Sequence, residues 1–156
     1  MAGWVSWAPM GAATLHIVEE FVFPGGFAEW DRRYRPDYRS TITGRLHVVV
    51  NALLLLACLQ VALLGLTPTG VAAWLTIMAL LASNGLWHLV GALRTRSYSP
   101  GMATGLLLYL PLAAYGYARF VGSGQASPPT ALAALAIGGT YHLWGGFLLH
   151  RGRRRG

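Results

Sequence analysis

Apolar residues in this chain gather into runs about as long as a bilayer is thick, rather than recurring at amphipathic spacing. The clearest run, "VVVNALLLLACLQVALLGL", carries only two amides, Asn51 and Gln60, and no charge. About 20 apolar residues in a helix cross about 30 Å of hydrocarbon. The pattern predicts five such spans, at about 4–23, 43–66, 70–93, 101–121 and 130–149. Pro and Gly cluster at the joints "TPTG" (67–70), "SYSPG" (97–101) and "GSGQASPP" (122–129), as turn chemistry requires. "FAEWDRRYR" (27–35) sets Phe27, Trp30 and Tyr34 on one helical face and stops at Pro36, which predicts a short interfacial helix. The fold class expected is an all-α membrane protein, a compact bundle of five transmembrane helices, with residues 1–156 forming a single domain.

Composition and charge agree with that pattern. Hydrophobic residues make up 54% of the chain and charged ones 11%, with a mean hydropathy of +0.47. A water-facing surface needs more charge than this. The net charge of +7 would suit nucleic acid, but the positions of the arginines argue for topology instead. Arg32, Arg33, Arg35, Arg39 and Arg45 lie around the first joint, Arg94 and Arg96 around the third, and Arg151, Arg153, Arg154 and Arg155 in the tail. The opposite side has only Arg119. The positive-inside rule then predicts the N-terminus outside, the C-terminus cytoplasmic and a multi-pass protein of the cell membrane. Lone Cys58 cannot form an intrachain disulfide and is expected to pack as a small apolar group. Trp4, Trp7, Trp74, Tyr115 and Tyr117 are expected in an outer aromatic belt.

Against this background the ionisable residues inside the spans stand out. His16, Glu19 and Glu20 share one side of their helix, as do His47 with Asn51 and Asn84 with His88. With about 1.5 Å of rise per residue, His16, Glu20, His47, His88 and His142 all fall within roughly 5–10 Å of the cytoplasmic boundary. Ionisable groups at such depth cost several kcal/mol (about 3) unless paired, and they face the bundle interior. The expectation is a polar pocket open toward the cytoplasmic side. His16, Glu20, His47, His88 and His142 are its candidate metal ligands, and Asn51 and Asn84 are partners that orient the imidazoles. Glu19, Glu20 and Tyr98 are the candidate acid–base groups. Arg39 and Arg45 are candidate contacts for an anionic head group. Ser99 is expected to cap the fourth span, with Pro100 at its first helical position.

"HIVEE" (16–20), "NGLWH" (84–88) and "YSPG" (98–101) resemble, in order, the three motifs of the HXXEE family of small bacterial integral membrane proteins. The resemblance covers nearly the whole chain. It implies an enzymatic or metal-binding centre, without a defined reaction, and marks His16, Glu19, Glu20, Asn84, His88, Tyr98, Pro100 and Gly101.

The function expected is a metal-dependent membrane enzyme acting on a lipid-soluble substrate near the cytoplasmic leaflet. In its hydrolytic form a zinc or iron ion activates water and a Glu is the general base. An iron-dependent oxidoreductase and a metal-free acid–base cyclase are the nearest alternatives. A small ion or proton transporter and a non-catalytic membrane partner are further ones. No nucleic acid is expected as a partner.

Overall fold

The computed structural model describes residues 3–38 and 43–144, and every regular element among them is helical. The elements are α1 (Trp4–Phe21), α2 (Phe27–Tyr34), a 3-10 turn (Pro36–Tyr38), α3 (Gly44–Leu64) and α4 (Pro68–Thr95). Then comes one continuous stretch, α5, built from an α-turn (Met102–Thr104), a π-helical turn (Gly105–Tyr109) and an α-helix (Leu110–Gly122). The last is α6 (Pro128–Gly139), which breaks at Thr140 before residues 141–144 turn helical again.

The start of three helices follows directly from local sequence. Thr43, Thr67 and Ser127 each accept a backbone N–H in the first turn of α3, α4 and α6, and prolines follow at the first helical positions of α4 and α6. Pro9 does not break α1, and the reason is tertiary. A proline at that position leaves the carbonyl of Val5 without its helical donor. The Trp74 indole N–H fills the gap at 2.8 Å. Trp74 is therefore fully buried, packed over Gly116 of α5 and edge-on to Phe120, and not part of an outer belt. Trp4 and Tyr115 do stack at the surface.

Helix α4 is the centre of the bundle and touches α1, α3, α5 and α6. Glycines let it approach its neighbours closely. A Cβ on Gly85 would lie 2.9 Å from the Gly105 carbonyl of α5, and one on Gly138 of α6 would lie 2.1 Å from the Thr76 carbonyl. Among the described residues two helices, α3 and α4, are long and apolar enough to cross a membrane, with hydropathies of 2.3 and 1.4. Much of α3 faces outward, with Val48, Leu53, Leu56 and Leu63 61–73% exposed. Contiguous apolar surface of this kind marks contact with lipid or protein rather than water.

Candidate metal centre

The two adjacent carboxylates of α1 have separate environments. Glu19 reaches the start of α5 and acts as its N-terminal cap from another helix. One of its oxygens accepts Gly101 N–H at 2.9 Å, Ala103 N–H at 3.0 Å and the Tyr98 hydroxyl. The other accepts Thr104 N–H at 2.7 Å and the Thr104 hydroxyl at 2.5 Å. A helix N-terminus presents unpaired N–H groups and a partial positive charge, so the carboxylate is held where it is most stable as an anion. Ser99, expected to cap this helix, does not do so; its side chain is used elsewhere.

Glu20 instead faces two imidazoles. Its Oε1 lies 3.3 Å from His16 Nε2 and 3.2 Å from His88 Nε2, and all three residues are buried. The other ring nitrogens show which protons are present. Thr104 gives its hydroxyl hydrogen to Glu19, so at 2.8 Å from His16 Nδ1 it must accept, and Nδ1 carries the proton. His88 Nδ1 is 2.8 Å from the Ser99 hydroxyl, and its Nε2 faces Glu20 Oε1. A proton on Nδ1 is satisfied by Ser99, and one on Nε2 would face the Glu20 carboxylate. Both imidazoles thus turn Nε2 toward the same carboxylate oxygen. With both Nε2 atoms deprotonated, the three side chains offer three convergent electron-pair donors.

Such a cluster can hold a cation. The three ligand atoms lie within 4.8 Å of one another. Donors about 2.0–2.1 Å from a tetrahedral ion stand about 3.4 Å apart, close to the two separations here. Ser99 and Thr104, at the Nδ1 atoms, stand where partners that orient metal-binding histidines are expected. The residues therefore fit a metal ion.

Gly101 closes the site. At φ +101° its backbone passes directly over both rings, and a Cβ there would lie 2.8 Å from His16 Cε1 and 2.8 Å from His88 Cε1.

A family model described as "Protein of unknown function with HXXEE motif" matches residues 7–116. The chain belongs to the HXXEE family. Every HXXEE motif residue, and Thr104 with them, lies inside that matched segment. A relative from Bacillus subtilis (strain 168), the uncharacterized protein YrkK, is 28% identical over 105 residues. The match covers 65% of this chain and 65% of YrkK, so this HXXEE chain aligns with just under two thirds of its relative's length. No solved structure matches it.

The other expected ligands of the centre lie elsewhere. His47 Nε2 is 3.4 Å from Asp31 of α2, and the Phe27 ring stands between it and His88, at 5.3 and 5.2 Å. His142 stacks on Trp87 at 5.4 Å and 11°, behind His88. Depth along a helix sets height in the bundle but not the direction a side chain points, and α2 wedges between. Asn51 is half-buried and takes no part in the hydrogen bonds of the centre. Asn84 is not an Nδ1 partner: its amide is 3.0 Å from His16 Nε2, on the ligating nitrogen itself. Arg45 is exposed, and Arg39 lies outside the described residues. Tyr98 is 45% exposed at the rim. Desolvation and the Glu19 carboxylate push its phenol up to about 12, so at neutral pH it is a donor and not a base.

Helix α2, expected to lie flat on a leaflet, turns Phe27 and Trp30 into the protein. Trp30 fills the space over Gly91 and donates to Ser97 at 3.2 Å. Arg35 grips buried Asp31 through two bonds of 2.8 and 2.7 Å and rests 5.0 Å over the Trp87 ring. Burial opposes the Asp31 charge, but hydrogen bonds from His47 and Arg35 overcome it and hold the carboxyl below its ordinary range. A lowered folded value means the stabilisation is complete above the unfolded value, about 3.9, and fades as pH falls through the folded one. Asp31→Asn should therefore cost about 3 kcal/mol at neutral pH and flatten the acid limb of a stability–pH curve measured in detergent.

Proposed function

We propose that the chain is a five-span integral membrane metalloprotein, N-terminus outside and C-terminus cytoplasmic, carrying out a metal-dependent reaction on a lipid-soluble substrate in the cytoplasmic membrane of a bacterium. The observation that carries the metal reading is the convergence of His16 Nε2, His88 Nε2 and Glu20 Oε1 as three potential ligand atoms. The exposed apolar faces of α3 and the one-sided distribution of arginines support the membrane reading. A centre set at the end of α1 within such a bundle suits a substrate that partitions into lipid.

Two imidazoles and one carboxylate are a donor set used by catalytic zinc, with a fourth position open, and by non-haem iron. A bound ion of either kind would acidify water or polarise a carbonyl. The chain's own residues divide the remaining work. Glu19 has both oxygens engaged by five donors, so it anchors the start of α5, and Glu20 is the carboxylate left to face the metal. Tyr98, at the rim, donates a hydrogen bond. The same two-His, one-carboxylate set supports the second reading, an iron-dependent oxidoreductase.

The test is metal analysis of protein purified in detergent, under anaerobic conditions to retain iron. About one equivalent of zinc or iron per chain is expected. It should vanish in the His16→Ala, Glu20→Ala, His88→Ala triple variant and persist in His47→Ala and His142→Ala. Parent protein without metal, or a triple variant that keeps it, would refute the proposal. Proton or metal flux in liposomes without turnover of lipid would favour a transporter instead.

A further inference from the structure

One fully buried polar group beside the centre has no role in the account so far. Tyr109 is 0% exposed, and its hydroxyl has no hydrogen-bond partner among the described residues. Its ring tilts over His16, with centroids 4.6 Å apart at 36°.

A hydroxyl removed from water without a partner costs about 1–3 kcal/mol, and phenylalanine would fill the same space without that cost. The backbone also departs from regularity at this point. Tyr109 ends the π-helical turn Gly105–Tyr109, whose first residue is pressed against Gly85 of α4; a Cβ on Gly105 would lie 2.7 Å from Gly85 Cα. One extra residue in a turn rotates everything downstream by about 100°. Such turns recur at functional sites, and this one sets a phenol beside the ligand histidine.

We infer that the Tyr109 hydroxyl donates a hydrogen bond to an oxygen-bearing ligand, a carboxylate or carbonyl oxygen of the substrate, when that ligand enters the His16–Glu20–His88 centre. The inference rests on the metal reading above. Tyr109 is then a ligand-positioning group that none of the three motifs contains.

The experiment compares the parent with Tyr109→Phe in detergent, first with chelator and then loaded with Co²⁺, whose visible bands report its ligands. Acetate is the probe, titrated against those bands. Both proteins should take up Co²⁺ with equal affinity, and acetate should bind the variant about tenfold more weakly, as loss of a hydrogen bond to a charged acceptor predicts. The metal-free variant should melt at or above the parental temperature. Equal acetate affinities would overturn the inference and leave the metal centre standing. A metal-free variant that melts lower or fails to fold would also overturn it, because the hydroxyl would then have a partner within the protein. No Co²⁺ uptake by the parent would remove the metal reading and this inference together.

Discussion

Glu19→Gln is expected to destabilise the protein by about 3 kcal/mol, with or without metal, whereas Glu20→Gln should abolish metal binding and leave the metal-free protein at least as stable as the parent. The contrast follows from what each carboxylate touches. Glu19 accepts three backbone N–H groups and two hydroxyls at the start of α5. An amide in its place turns an NH₂ toward donors that need an acceptor, and it removes the negative charge from a helix N-terminus. Among the described residues Glu20 has no backbone N–H donor. Its oxygen faces the Nε2 atoms of His16 and His88, and an amide there can give a hydrogen to a deprotonated one. Thermal unfolding in detergent, with chelator and with added zinc, separates the two. If the variants lose stability and metal in parallel, the division of labour between the carboxylates is wrong.

Gly101→Ala should be as damaging, for a different reason. The backbone at φ +101° is reserved for glycine, and the added methyl would meet both imidazoles at 2.8 Å. Overpacking and backbone strain together cost about 3 kcal/mol. Relief requires moving the rings apart or lifting the loop off Glu19. Either movement spreads the three donors, so metal content should drop along with the melting temperature. Retention of full metal by a stably folded Gly101→Ala would show that the loop is not seated over the rings as described.

The family motifs and the centre coincide only in part. "HIVEE" and "NGLWH" hold all three ligand atoms. "YSPG" contributes no ligand: Ser99 orients His88, Gly101 leaves room for both rings, and Tyr98 with Gly101 N–H holds Glu19. Thr104 and Tyr109 sit in an apolar helix with nothing in the local sequence to mark them. Their importance comes from His16 and Glu19, more than 80 residues away in the chain.

Helical content, the places where helices start, the presence of apolar stretches long enough for a bilayer and the histidine–carboxylate chemistry are properties of short stretches, set by periodicity, capping and composition. Those were legible in the amino-acid order alone. The membership of the site was not, because the direction in which a side chain points depends on how helices rotate and pack. Tertiary structure separated Glu19 from Glu20 although they are neighbours, since adjacent residues on a helix diverge by about 100°. It set Phe27 between His47 and His88, stacked His142 on Trp87, and placed Asn84 on the ligating nitrogen of His16. It also rescued the Val5 carbonyl that Pro9 leaves free, by bringing Trp74 to it from another helix. Contacts between residues distant in sequence are decided by packing the whole bundle at once, and no local pattern encodes them.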